Sequence, residues 1–595
     1  MTTPTQILHD VFGYTSFRSG QEEIIDLILA GENVLAVMPT GSGKSLCYQI
    51  PALLLDKPTI VVSPLKALMD DQVAGLRADG VEAAVIHSGM ERDAQIAEWR
   101  KITAGKVKLL YLAPERLMAE NMLSALHRLD PALFVVDEAH CISKWGPSFR
   151  PEYEQLARLK ELFPEANIAA FTATADKATR ADIVQKLFAG NSRTIVHGFD
   201  RPNLRLAVAQ KTHWSKQLLA FLNDKKGQSG IVYCLSRKFT EEAASFLQEQ
   251  GWNAIPYHAG QDPEVRKRNQ DRFMSENEAV MVATIAFGMG IDKPDIRYVC
   301  HLNLPGSMEA YYQEIGRAGR DGAPAETLLL YGYDDLRMRR TFIEEEGKDE
   351  EHKRREHRRL DALIGYCESA ECRRIALLGY FDETVGPCGN CDNCLEPPTL
   401  IDATRQAQML LSAIHRTGQA FGAGHVIDVL LGADTDKVRQ RGHDRLPTYG
   451  VGKDFPKQYW QSFVRQAVAG GQIAINIARY GGLEITERGR AILKGETPFY
   501  FREPGKKQGR ASRKAARAAV GLDVDAALLA KLKDLRLTLA RAQKVPAYVV
   551  FPDATLIEMA RMRPSSLEEM REISGVGPRK LDQFGAQFLE VTRGD

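Results

Sequence analysis

The run MPTGSGKS at 38–45 follows an apolar segment and opens a helical pattern, an order that suits a phosphate. Backbone N–H groups at the start of a helix point outward without intrahelical partners, and the helix dipole adds a partial positive charge there. Gly41 and Gly43 let that backbone close around phosphate oxygens without side-chain clashes, and Thr40 and Ser42 complete the cradle. Lys44 is placed to pair with the outer phosphates, and Ser45 to offer its hydroxyl to Mg²⁺. A second apolar run, ALFVVDEAH at 132–140, ends in acids. Asp137 suits a Mg²⁺ held through water. Glu138 suits a carboxylate that orients or deprotonates an attacking water, because phosphoryl transfer to water needs a positioned nucleophile more than covalent chemistry. Each run alone has a plain reading as a turn or a solvated strand end; in this order they point to handling of ATP and Mg²⁺.

A different chemistry gathers at Cys388, Cys391 and Cys394, with Cys372 fifteen intervening residues upstream. Four thiolates at such spacing can enclose one tetrahedral Zn²⁺ and leave no position for water, which makes the site structural. An iron–sulfur cluster also accepts four cysteines. The other five of the nine cysteines are scattered, as ordinary buried thiols are.

These residues need a scaffold. At 595 residues the chain exceeds one hydrophobic core, and about 150 residues per domain implies several units. Short β-branched runs alternate with helical patterns from Asn33 to about Thr174, and again after the Phe199–Asp200–Arg201–Pro202 joint, which reads as two parallel α/β lobes. The alternation ends near Lys348, where a charged helical run leads into the cysteines. Residues 403–495 read as helices followed by two short strands joined at Tyr480–Gly481, the outline of a winged helix. From about Val524 the pattern is helical, with breaks at Pro546, Pro552, Pro564 and Gly575.

The formal net charge of +1 does not advertise nucleic acid, but residues 502–517 hold seven basic residues and one acid, read as a solvated linker. The N-terminal residues lack a basic leader with an apolar core, and no apolar run reaches about 18 residues, which predicts a cytoplasmic protein without membrane partners.

The motif series is specific. MPTGSGKS, SPLKALMDDQ (63–72), APERL (113–117), DEAH, FTATA (171–175), VATIAFGMGIDKPD (282–295) and YYQEIGRAGRDG (311–322) follow the order of superfamily-two helicases. Together with FGYTSFRSGQEEII (12–25) and HCISKWGPSFRPEY (140–153), the series resembles the RecQ family, bacterial type, across nearly the whole chain. Met38 departs from the general phosphate-loop pattern, which has Gly there.

The resemblance implies two tandem RecA-like lobes at 1–200 and 201–347. It further implies a zinc-binding helical subdomain at 348–402, a winged helix at 403–500, a basic linker at 501–523 and, at 524–595, a small all-α domain like the helicase-and-RNaseD C-terminal domain. It favours zinc over iron–sulfur. Tyr14 and Arg18 are implied to sandwich adenine while Gln21 reads its edge. Gln313, Arg317 and Arg320 are implied to reach ATP from the second lobe, with Arg320 as the finger. The loop carrying Trp145 and Phe149 is implied to sense single-stranded DNA and to signal through His140 and Arg150 to the acid pair; Tyr480, expected at the wing tip, has two readings, a stack on a terminal base pair or an exposed turn tyrosine without a DNA role. The implied activity is a 3′ to 5′ DNA helicase in recombination, replication, repair and the SOS response, nucleoid-associated, with single-strand-binding and recombination proteins as partners. An RNA helicase, or a nucleic-acid scaffold switched by ATP, are the other readings; Glu138 and Arg320 disfavour the scaffold, and the zinc and winged-helix segments disfavour RNA.

Overall fold

A computed structural model describes residues 2–593 except 40, 144–149, 176, 197, 277, 289–292, 347–348, 477–481, 504–524, 544 and 546. The apolar runs that do not alternate with polar residues become strands buried on both faces, as parallel strands covered by crossover helices must be. In the first lobe these are β1 (Val34–Val37), β2 (Thr59–Val62), β3 (Ala83–Ile86), β4 (Leu109–Leu112), β5 (Leu133–Val136), β6 (Asn167–Thr172) and β7 (Arg193–Val196). They form one sheet in the order β3-β4-β2-β5-β6-β1-β7, and every pairing is parallel. The second lobe repeats the plan with β8 (Leu204–Gln210), β9 (Ser229–Tyr233), β10 (Ala254–Tyr257), β11 (Val280–Ala283), β12 (Ile296–His301) and β13 (Ala325–Tyr331), in the parallel order β10-β11-β9-β12-β13-β8.

This order decides what meets at the top of the first sheet. The phosphate loop leaves β1 and the acid pair leaves β5, with β6 between them, so Thr172 at the end of β6 sits between the two motifs. Met38 N–H donates to Thr172 O at 3.0 Å, which ties the loop to that central strand.

Beyond the lobes, the helix Glu350–Glu368 and the helix Arg373–Tyr380 frame the cysteines. Two further strands not anticipated from the sequence, β14 (Thr399–Asp402) and β17 (Tyr500–Glu503), pair antiparallel and bracket the winged-helix segment. Inside that bracket lie the fully buried Trp460, whose indole N–H donates to Gly452 O at 2.9 Å, and the wing strands β15 (Ile473–Asn476) and β16 (Gly482–Ile485). The wing turn with Tyr480 lies outside the described residues, as does most of the basic linker. Helices Ala526–Gln543, Asp553–Met562 and Ala586–Arg593 surround a separate apolar core centred on Phe551 and Phe588. Among the described residues no helix is long and apolar enough to cross a membrane.

Candidate nucleotide cleft and metal centre

The phosphate loop is locked from below. Gly41 and Gly43 both adopt left-handed φ, 82° and 83°. A Cβ on Gly43 would stand 2.4 Å from Gln21 Nε2, so only glycine fits that close approach. Gln21 is buried, and its amide donates to the carbonyls of Ser42 and Gly43 at 3.1 Å each while accepting from Arg18 N–H at 2.8 Å. Arg18 donates to Gly41 O at 2.6 Å. The side chains expected at adenine therefore also brace the loop. Tyr14 is half-buried and lines the same cavity. Thr40 lies outside the described residues.

Across β6, Glu138 follows Asp137 with φ 50° and ψ 43°, a left-handed conformation that costs a non-glycine residue about 1–2 kcal/mol. The conformation lets Glu138 N–H donate back to Asp137 Oδ1 at 2.9 Å. Burial, reinforced by the adjacent Glu138 charge, pushes the Asp137 carboxyl up to about 7. Burial would push Glu138 up as well, but the positive groups facing it prevail and hold it low, Lys44 first and Arg317 and Arg320 after it; His140 adds to this only when protonated, and burial lowers its own pKa. Two buried carboxylates side by side cannot both ionise freely, and the asymmetry leaves Glu138 as the ionised member. Tyr153, fully buried, donates to Asp137 O at 2.9 Å.

His140 joins motifs distant in sequence. Its Nδ1 hydrogen-bonds Thr172 Oγ1 at 2.9 Å and stands 3.3 Å from Glu138 Oε2, which itself makes no hydrogen bond among the described residues, so the imidazole sits between the acid pair and the end of β6. Arg150 donates to Pro64 O at 3.1 Å, and its N–H to Cys141 O at 2.9 Å. Trp145 and Phe149 lie outside the described residues.

From the second lobe, the turn after helix Met308–Ile315 faces this cluster. Gln313, Arg317 and Arg320 line one cavity of about 650 Å³ together with Tyr14, Arg18, Gln21, Lys44, Ser45, Asp137 and Glu138. That volume, the donor-rich loop and the facing cations fit a nucleoside triphosphate with its Mg²⁺. Arg201, which sequence reasoning did not single out, also reaches this seam, with Nη1 3.3 Å from where a Gly41 Cβ would stand. Its only signal in the sequence is an arginine before proline at the joint between lobes.

The C-terminal helical segment reaches the same cavity. Gly575 N–H donates to Gly13 O at 2.9 Å, and Lys580 pairs with Asp79 at 3.0 Å. Tyr548, Thr555 and Glu558 line the cavity beside the helix Lys66–Ala78.

At the metal centre the Sγ atoms of Cys372, Cys388, Cys391 and Cys394 all lie within 4.8 Å of one another. The closest separations, 3.5 Å for Cys372–Cys388, 3.9 Å for Cys391–Cys372 and 4.0 Å for Cys388–Cys394, bracket the roughly 3.8 Å edge of a tetrahedron with Zn–S bonds of about 2.3 Å. Backbone N–H groups of Arg373, Cys388, Asn390 and Cys394 point at the sulfurs from 3.3–3.4 Å, as they would toward thiolates. Behind them Arg373, wholly buried, forks onto Asp392 at 2.9 and 3.1 Å and donates to Tyr366 O at 2.6 Å. The donor set fits Zn²⁺, which this subdomain binds.

Family comparisons agree with this division of labour. Residues 18–183 match the DEAD/DEAH box helicase model, and 210–322 the helicase conserved C-terminal domain. Residues 333–395 match the RecQ zinc-binding model, 397–510 the RQC domain and 525–592 the HRDC domain. The chain is 44% identical over 592 residues to the ATP-dependent DNA helicase RecQ of Haemophilus influenzae, covering 99% of this chain and 95% of that one. The chain belongs to the RecQ family. Two further RecQ helicases, from Pasteurella multocida at 43% identity (99% and 93% covered) and Bacillus subtilis at 38% (98% and 97%), are similar over almost their whole lengths. In this RecQ chain the segment that reaches over the nucleotide cleft through Gly575 and Lys580 is thus the HRDC domain.

Proposed function

We propose that this RecQ protein is an ATP-dependent DNA helicase that couples ATP hydrolysis to 3′ to 5′ movement along single-stranded DNA and to duplex opening in recombination, replication and repair. One observation carries the reading: phosphate loop, acid pair and the arginines of the other lobe surround a single cavity, so hydrolysis depends on how the lobes sit. Lys44 and the loop N–H groups hold the outer phosphates. Ser45 and Asp137 hold Mg²⁺, which when bound neutralises phosphate charge. Glu138, kept ionised by Lys44 and the facing arginines, orients or deprotonates the attacking water. Arg320, with Arg317 and Gln313 beside it, stabilises charge developing on the transferred phosphoryl group. Tyr14, Arg18 and Gln21 hold adenine.

The coupling route runs from the aromatic loop of Trp145 and Phe149 through Arg150 and His140 to Glu138; stacking on unpaired bases suits such a loop because every base offers a π-face. The RQC winged helix, with Tyr480 at its wing, takes the duplex. The functional division follows the boundaries given above, 1–200, 201–347, 348–402, 403–500, 501–523 and 524–595. A cytoplasmic, nucleoid-associated protein working with single-strand-binding and recombination proteins, within the SOS response, is consistent with this activity.

The test compares ATPase stimulation by single-stranded DNA and by RNA of equal length, and unwinding of duplexes with a 3′ or a 5′ tail. Stimulation by DNA and opening of the 3′-tailed duplex are expected. Equal stimulation by RNA, or opening of the 5′-tailed duplex alone, refutes the reading. Trp145→Ala is expected to keep basal ATPase and lose the DNA stimulation.

A further inference from the structure

The arginine turn between Ile315 and Ala325 has no regular secondary structure to hold it, yet it must present two guanidinium groups to the cleft. Its grip comes from elsewhere. Arg201 donates through Nη2 to Ala318 O at 3.0 Å and Gly319 O at 2.7 Å, and through Nη1 to Gly316 O at 3.3 Å. Asn203, two residues on, donates to Gly319 O at 2.8 Å and Ala323 O at 2.9 Å. Three of the four carbonyls between Gly316 and Gly319 are thus tied to a segment more than a hundred residues earlier. Gly319 has φ 58°, and a Cβ there would stand 2.4 Å from Asn203 Nδ2, so the turn is shaped to receive this grip.

The gripping segment is itself latched to the zinc subdomain. Asp200 pairs with Arg374, which also donates to Leu204 O at 2.7 Å. Phe199 stacks on Phe381 with ring centroids 4.6 Å apart and planes 8° from parallel, and Phe199 N–H donates to Glu383 at 2.9 Å. Arg374 lies two residues after the metal-ligand Cys372, on the helix that the cysteines staple. The chain of contacts therefore runs from the metal centre through Arg374, Asp200 and Arg201 to the turn that carries Arg317 and Arg320.

We propose that Arg201 is a positioning residue for ATP hydrolysis, fixing the arginine turn in the second lobe, and that the zinc subdomain sets its place through Arg374 and Asp200. The inference rests on the assignment of Arg317 and Arg320 to the phosphoryl group. A planar guanidinium can fork onto several carbonyls at once; an ammonium on a flexible stem cannot reproduce that geometry at the same positive charge. Burial brings the Arg201 guanidinium down to about 10, so it stays charged at neutral pH and its bonds to the turn are charge-assisted.

The decisive variant is Arg201→Lys in the full-length chain, because it keeps charge and bulk. Its affinity for a fluorescent ADP analogue is expected to stay within about threefold of the wild type. The complex with ADP and aluminium fluoride, which mimics the phosphoryl group in transfer, is expected to weaken about thirtyfold, and kcat to fall by the same factor, because an interaction made in the transition state is what is misplaced. Asp200→Asn, with zinc content measured alongside, is expected to lose about fivefold in kcat at unchanged zinc, since it loosens the latch and leaves the grip. Arg201→Lys with wild-type kcat and aluminium fluoride binding overturns the positioning role, as does an equal loss in ADP affinity. Asp200→Asn with unchanged kcat overturns the link to the zinc subdomain. Lys44→Ala and Glu138→Gln run in parallel: hydrolysis persisting in those two would refute the assignment of the cleft itself, whereas their inactivity beside a normal Arg201→Lys refutes only this inference.

Discussion

The cluster around the four sulfurs and the cluster around Lys44 both bury groups that would be costly to bury alone, and the two are stabilised in opposite ways. The metal centre is complete within one short stretch of chain: four ligands between 372 and 394, N–H groups on the sulfurs, and Arg373 fully engaged behind them. The nucleotide cleft is assembled from residues spread between Tyr14 and Lys580, and it keeps a strained Glu138, two adjacent carboxylates and cations from the opposite lobe facing an open volume. A closed site of the first kind contributes to folding; a site of the second kind stores charge and strain that a substrate relieves.

The contrast is sharpest when each cluster loses one member. Glu138→Gln keeps the volume and one hydrogen-bonding oxygen but removes the base, and hydrolysis is expected to fall about a thousandfold with ATP binding retained, as filter binding beside phosphate release would read out. Cys391→Ala should act on the other axis: zinc content by elemental analysis falls from one to near zero and soluble, protease-resistant yield drops. Well-folded wild-type protein without zinc would abolish the comparison.

A smaller effect probes the wiring between cleft and nucleic acid. His140→Ala removes the imidazole that stands between Glu138 and Thr172 and is expected to cut DNA-stimulated hydrolysis about tenfold, with basal hydrolysis falling less. Equal loss with and without DNA would make His140 a support of the acid pair alone. The smallest change is expected at the rim, where Lys580→Glu breaks the partly exposed pair with Asp79. Release of a fluorescent ADP analogue should quicken about threefold, and the reversed pair Asp79→Lys with Lys580→Glu should restore it.

The same contrast explains what could be read in the sequence. The phosphate loop and DEAH carry their meaning within a few consecutive residues and the cysteines within one short stretch from 372 to 394, because local spacing alone determines what their side chains can do. The alternation of apolar runs and helices was sufficient for two parallel lobes. Strands β3, β7, β8, β10, β14 and β17 were not legible: runs such as AAVI, RTIV, TLID and YFRE carry no strong local signal, and long-range pairing rather than local pattern makes them strands. Arg201 was invisible for a related reason. Its partners at 316–319 lie across the lobe, and an arginine before proline reads locally as surface charge. Gln21 shows a milder form: its expected role at adenine rests on family resemblance, whereas its bonds to the phosphate loop are visible only in three dimensions.

The pairing of Thr399–Asp402 with Tyr500–Glu503 brings the entrance and the exit of the winged-helix segment side by side. Mechanically this makes the segment a module on a two-strand stalk, braced at the side by the buried pair of Arg465 with Glu368. A load taken by the module reaches the motor through the paired strands and the packing beside them, where Arg465 also lies over the Tyr331 ring and Tyr333 packs against the module's core, not along the contour of about a hundred residues between its strands. For protein engineering, the same stalk offers two adjacent splice points, so a different duplex-binding module could be seated there without altering the path of the chain through either lobe.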